Sequence, residues 1–174
     1  VVHVPLIAIA DPVDGGAALV SWSGSMFEYL MPLLIMRRYP DTLLDESCRM
    51  AVRRQIEYAA HRGVPWGISE SCYNATDARQ VYQYRAFGVP GLGFKRGLAD
   101  DIVIAPYASA LALSVMPRQA CRNLQSLAAS GFLGAYGLYE AIDYTSSRVP
   151  PGVEYAIVRS FMAHHQGMSL LAFV

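Results

Sequence analysis

Apolar residues recur at helical intervals in several separate stretches of this sequence, and the links between those stretches alternate between tight and long. Leu44, Cys48, Ala51, Val52, Ile56 and Ala59 mark one stripe between Thr42 and His61. Asp41, after Pro40, is the expected N-cap, and Gly63 the residue that turns the chain out of the helix. Ala120, Leu124, Leu127 and Ala128 mark a second stripe, opened by Pro117 and stopped at Gly131. Pro106 to Met116 reads as a short buried helix, and Ile157, Phe161, His164, Met168 and Leu171 form a last stripe. Met26 to Tyr39 is also expected to be helical, with Pro32 starting or kinking it. Helices are therefore expected near residues 42–62, 106–116, 117–130 and 155–172. Strand signals are confined to Val1–Ala10 and Ile102–Ala105, so the expected fold class is all-α.

The tight links, Arg38–Thr42 and Met116–Pro117, are those of αα-hairpins. Gly63–Ala105 and Gly131–Glu154 are long and rich in glycine and aromatics. Stacked hairpins with this alternation put the long loops, with the residues before Met26, at one end, where sites are built. That end gathers Trp22, Glu28, Trp66, Glu70, Tyr73, Asp77, Tyr136, Tyr139, Glu140 and Asp143.

Charge narrows the functional classes. Only 16% of the 174 residues are charged and 53% are hydrophobic, against about 25% charged in an ordinary soluble domain. A domain this size with so few charges is expected to have much of its surface covered. The apolar runs at both ends, with no N-cap before the first and no Gly or Pro after the second, lead to the expectation that residues 1–174 are part of one larger domain. The formal net charge is zero, and no basic run exceeds a pair such as Arg37-Arg38 or Lys95-Arg96. Nucleic acid is therefore not the expected partner. The longest apolar stretch, Ile102–Met116, falls short of the roughly 20 residues that cross a bilayer. Cys48, Cys72 and Cys121 share no CxxC spacing and read as small hydrophobes in a reducing compartment. His164 and His165 point about 100° apart on a helix, which does not make a metal pair. No metal and no cofactor are expected.

Acids among aromatics suit glycoside cleavage, which needs two carboxyl groups flanking the scissile bond. In Trp66-Gly67-Ile68-Ser69-Glu70-Ser71, burial beside an indole would raise the Glu70 pKa and suit a general acid; a loop glutamate capping a turn is the alternative. Glu140 and Asp143 stand among Tyr136, Tyr139 and Tyr144, either in a site or in a turn-rich loop whose tyrosines fill the core. Glu28, in an apolar stretch, is costly to bury unpaired and either meets a sugar hydroxyl or pairs with an arginine. His164 lies on the apolar stripe, and Gln166 beside the histidines makes a polar sugar contact possible. Asp101 either pairs with Lys95 or Arg96 or holds sugar hydroxyls. Gly91–Gly97 matches no phosphate-loop or dinucleotide pattern.

Five motifs carry a resemblance: SWSGSMFEYLMP, WGISES, YRAFGVPGLGFKRGLADDIVIAPYASALAL, GAYGLYEAIDYT and FMAHHQGM. In order, from about Val20 to the C-terminus, they resemble the glucoamylase-like domain of cyclic β-1,2-glucan synthases, a family related to bacterial endo-β-1,2-glucanases. The resemblance implies an (α/α)6 barrel, about half of it present in this chain. It also implies a glycoside hydrolase or transglycosylase type of enzyme that closes linear β-1,2-glucan into rings. The implied setting is the cytoplasmic face of the bacterial inner membrane, within a larger polypeptide that carries a membrane-embedded glycosyltransferase. The alternatives are an exported, periplasmic, hydrolytic endo-β-1,2-glucanase or other α-barrel glycosidase, and a glycan-binding or structural module without catalysis. Glu70 and Glu140 match the family's acidic motif positions and are the two expected leading catalytic acids; Glu28 matches a third and is the reserve candidate. Trp22, Trp66, Tyr73, Lys95, Arg96, Asp101, Tyr136, Tyr139, Asp143, His164, His165 and Gln166 are the expected substrate contacts.

Overall fold

The computed structural model describes residues 18–174; the expected strand Val1–Ala10 lies outside them. Five α-helices are present among the described residues: α1 (Met26–Leu30), α2 (Leu43–Arg62), α3 (Pro106–Leu111), α4 (Pro117–Leu127) and α5 (Ala163–Ala172). Between them run seven short strands: β1 (Ser71–Thr76), β2 (Tyr82–Arg85), β3 (Val103–Ile104), β4 (Leu133–Gly134), β5 (Gly137–Leu138), β6 (Ala141–Asp143) and β7 (Ala156–Val158). All ladders are antiparallel: β1 with β2, β4 with β5, and a three-stranded sheet in the order β3-β6-β7. The all-α expectation is thereby overturned, and with it the reading of this chain as a plain stack of helical hairpins; the fold is mixed α and β.

The helical part follows the sequence closely. Helix α2 opens on Thr42, whose side chain accepts from the Asp45 amide, rather than on Asp41, which sits at φ 62°. It closes on Gly63 in the left-handed conformation. Pro32 converts the continuation of α1 into a single 3-10 stretch, Met31–Leu34. Proline also sits in the first turn of α3 and of α4, where a missing N–H costs nothing. The expected helix at 155–172 forms only in its second part, because Ala156–Val158 is a strand paired with β6 and α5 starts only at Ala163.

Every residue of α3 is buried, and it packs against α1, α4 and α5. The sheet lies beside it, with Val103, Ile104, Ala141, Ile142 and Val158 in the same apolar core. Of the cysteines, Cys48 and Cys72 are buried and Cys121 is exposed on α4; burial, reinforced by the Glu140 carboxylate, pushes the Cys72 thiol up to about 11.

Two close contacts fix the loop before α1. A Cβ placed on Gly88 would lie 1.8 Å from the Ser23 carbonyl oxygen, and one on Gly93 would lie 2.5 Å from the Gly24 amide nitrogen. Only glycine lets these backbones touch. Gly88→Ala should therefore destabilise the protein by about 1–3 kcal/mol, the range for a forced overpacking. A lowered urea midpoint measures this; an unchanged midpoint would show that the loop yields freely.

Candidate functional site

The WGISES segment is held on both sides by buried amides. Gln55, 1% exposed in α2, donates to the Ile68 carbonyl at 2.7 Å and accepts from the Ile68 amide at 2.8 Å. Asn123 in α4 donates to the Trp66 carbonyl and to Ser109 Oγ, both at 2.8 Å. Ser69 Oγ accepts from the Phe27 amide at 3.0 Å and lies 2.8 Å from the Tyr107 hydroxyl, which donates to the Glu70 carbonyl at 2.9 Å. The result is a fixed backbone that presents Glu70 half-buried at the start of β1.

Burial is the main cause of a raised Glu70 pKa, and the Glu28 carboxylate adds to it. His165, His164 and a hydrogen bond from Tyr84 work against the rise. Carboxyls whose surroundings differ in this way take different roles in acid–base chemistry. The raised pKa expected from sequence is present, but Trp66 is 7% exposed in the core and is held toward α4.

Glu28 is partly buried. Its Oε2 accepts from the Ser23 amide at 2.9 Å and the Gly24 amide at 3.1 Å, and its own amide donates to Ser25 Oγ at 3.3 Å. Its Oε1 has no hydrogen-bond partner among the described residues. No arginine pairs with it there, so the loop pinned by Gly88 and Gly93 supplies its partners instead.

Glu140 is 2% exposed and lies just before β6. Its two carboxylate oxygens lie 2.9 and 3.0 Å from His165 Nδ1, and Oε1 also accepts from the Cys72 amide at 3.2 Å. The His165 ring stacks on Tyr107 with centroids 3.8 Å apart and planes 16° from parallel. His165 Nε2 lies 3.4 Å from the Tyr84 hydroxyl. His164 is exposed beside Phe27 and His165.

Glu28, Glu70, Glu140, His164 and His165 are thus brought together, joined by Tyr84 and Tyr107, which the sequence reading did not single out. Gln166 donates to the Leu138 carbonyl at 3.4 Å and, with Tyr139, Glu140 and His165, lines a neighbouring, mainly apolar cavity of about 250 Å³. Tyr136 is exposed and meets Phe161 edge-on. Trp22 is exposed ahead of α1. Asp143 belongs to a different cluster: it is fully buried and accepts from Arg148, which also binds Asp101. The Tyr73 ring lies under the guanidinium groups of Arg85 and Arg148, at 5.6 and 4.9 Å. Asp101 pairs with Arg85 and Arg148, not with Lys95 or Arg96. Lys95 donates to the Ala86 carbonyl at 2.7 Å and lines, with Arg96 and Asp101, a polar cavity of about 220 Å³. No group of three or more metal-ligating side chains occurs among the described residues.

The Glycoamylase family model, whose description reads "putative glucoamylase", matches residues 10–173. The chain belongs to this glucoamylase-like family. A curated relative, the cyclic β-(1,2)-glucan synthase NdvB of Rhizobium meliloti (strain 1021), is 51% identical over 161 residues, which are 92% of this chain and 6% of that protein. A solved Bacteroides fragilis NCTC 9343 structure with the same glucoamylase description superposes with a TM-score of 0.61 at 19% identity, over 92% of this chain and 38% of that one. The endo-β-1,2-glucanase of Chitinophaga pinensis, solved with sophorotriose and glucose, gives 0.57 at 16% identity, with the same coverage. These likenesses show that the glucoamylase-like chain shares their fold over a part of each. No helix among the described residues is long and apolar enough to cross a membrane.

Proposed function

We propose that this chain is part of a larger glucoamylase-like catalytic domain that acts on β-1,2-glucan by transglycosylation. The observation that carries the substrate is the 51% identity, across 92% of the chain, to a cyclic β-(1,2)-glucan synthase. The same identity favours transfer over hydrolysis and a place within a larger polypeptide at the cytoplasmic face of the inner membrane, beside a membrane-embedded glycosyltransferase.

The geometry supports a division of labour among the acids. Glu70, half-buried with a raised pKa, is the general acid that protonates the leaving oxygen. Glu28, with one oxygen cradled by two amides and the other without a hydrogen-bond partner among the described residues, is the second carboxyl at the bond. Glu140, its oxygens engaged by His165 and Cys72, supports the pair from behind rather than touching sugar. Trp22, Tyr136 and the exposed His164 are the acceptor-side contacts.

Incubating the intact domain with linear β-1,2-glucan and sizing the products tests this. Rings or lengthened chains, with retained anomeric configuration, are the expected result. Linear fragments alone, with inverted reducing ends, would make the domain a hydrolase. No turnover would remove β-1,2-glucan as the substrate.

A further inference from the structure

We propose that His165 is a positioning residue, joined to Tyr84 in a hydrogen-bond relay that runs from the buried Glu140 carboxylate to Glu70. This deepens the proposed function and rests on Glu70 being its general acid.

His165 is 1% exposed on α5, and each face of its surroundings is specified. Nδ1 meets both Glu140 oxygens at 2.9 and 3.0 Å, so that nitrogen carries a proton. The parallel Tyr107 ring, 3.8 Å away, fixes the plane of the imidazole. Nε2 is then aimed at the Tyr84 hydroxyl, 3.4 Å away, and the Glu70 carboxyl lies near enough to that hydroxyl for each to shift the other's pKa. A carboxylate that holds one ring nitrogen defines what the other can do. With both nitrogens engaged and one face covered, a sugar hydroxyl has no place on this ring.

The relay has two fully bonded arrangements with the same protons. In the first, the Glu70 carboxylic acid donates to Tyr84 Oη, and the Tyr84 O–H donates to Nε2 of a neutral imidazole. In the second, the Glu70 proton has moved to Tyr84 Oη and the Tyr84 proton to Nε2. An imidazolium then lies between the Glu140 carboxylate and Tyr84, and the Tyr84 O–H donates to a Glu70 carboxylate. No proton enters or leaves, so Glu70 changes charge without an unpaired buried group. The other titratable groups facing His165 are His164 on α5 and Tyr107 on α3; the 3-10 turn Met31–Leu34 offers none. Burial holds the Tyr107 hydroxyl well above the ordinary phenol range, so it stays a fixed donor to the Glu70 carbonyl.

The tests are His165→Asn and Tyr84→Phe in the intact domain. Each removes a donor that favours the Glu70 carboxylate, so each should move the basic limb of kcat to higher pH. Each should also lower kcat by about tenfold or more with KM nearly unchanged, as loss of part of an acid–base device does. A raised KM with kcat and the limb unmoved would make His165 a sugar contact. A lower melting temperature with an unmoved limb would make it structural. Either overturns the relay. If the wild-type domain does not turn over β-1,2-glucan, the proposed function fails, and the relay is read instead from imidazole ¹⁵N resonances. A proton fixed on Nδ1, with an Nε2 resonance that shifts in Tyr84→Phe, is expected. Averaged nitrogens, insensitive to Tyr84, would overturn it.

Discussion

Glu70→Gln should leave the fold intact and lower the rate of the intact domain by about 10²–10⁴-fold, the measure of general acid catalysis. The glutamine keeps the shape of the side chain, so its carbonyl can still accept from Tyr84, but it has no proton to give. The pH profile supplies the second half of the test. A general acid works while protonated, so in that role the wild-type rate should fall as pH rises through the Glu70 pKa, which burial first, and then Glu28, hold above the usual carboxylate value. That limb should be absent in Glu70→Gln. Near-normal turnover of Glu70→Gln, or a basic limb that survives it, would remove Glu70 from the role.

Much of this arrangement was legible in the sequence, and the misses have physical causes. Helices α2 and α4 were readable because their apolar spacing runs for several turns between a cap or a proline and a glycine. Strand β3 lies within the expected Ile102–Ala105, but β4 to β7 were not legible, because two or three residues are too short to show a period of two, and Ile157 and Phe161 fall by coincidence on the stripe of α5. The hairpin β1-β2 lies in Gly63–Ala105, read as a long loop because its glycines and aromatics show no sustained alternation. Glu70 and Glu28 were legible as acids among small and aromatic residues. The burial of Glu140 was not: it depends on His165, 25 residues away in sequence, and on the Cys72 amide, 68 residues away. Asp143, three residues beyond Glu140, belongs to another network because β6 turns alternate side chains to different surroundings.

That second network yields the largest expected effect on stability. Arg148 donates to both Asp143 oxygens, at 2.7 Å from Nε and 3.1 Å from Nη2, and to Thr145 Oγ1 at 2.7 Å, and it also pairs with Asp101. Asp143, fully buried, accepts in addition from the Asn74 amide on β1 and the Thr145 amide, both at 3.0 Å. The Arg148 carbonyl in turn accepts from Asn74 Nδ2 at 2.6 Å. The Asp143 carboxylate, held by this guanidinium, therefore joins β1, which follows Glu70, to β6, which follows Glu140. Arg148→Met would leave the Asp143 charge buried with only two amide donors. Removing one partner of a buried pair costs about 3–5 kcal/mol, mostly as the penalty of the charge left behind. The urea midpoint of the intact domain should fall accordingly. Adding Asp143→Asn to Arg148→Met should recover part of the loss, because the stranded charge is gone while the amide donors keep an oxygen to bind. Asp101→Asn should cost much less, since Asp101 is partly exposed and water replaces its contact. If Arg148→Met matched Asp101→Asn, or if the double variant were no more stable than Arg148→Met, the network would be a surface ion pair. The candidate-site carboxyls would then be positioned by the hydrogen bonds of Gln55, Asn123 and Tyr107 alone.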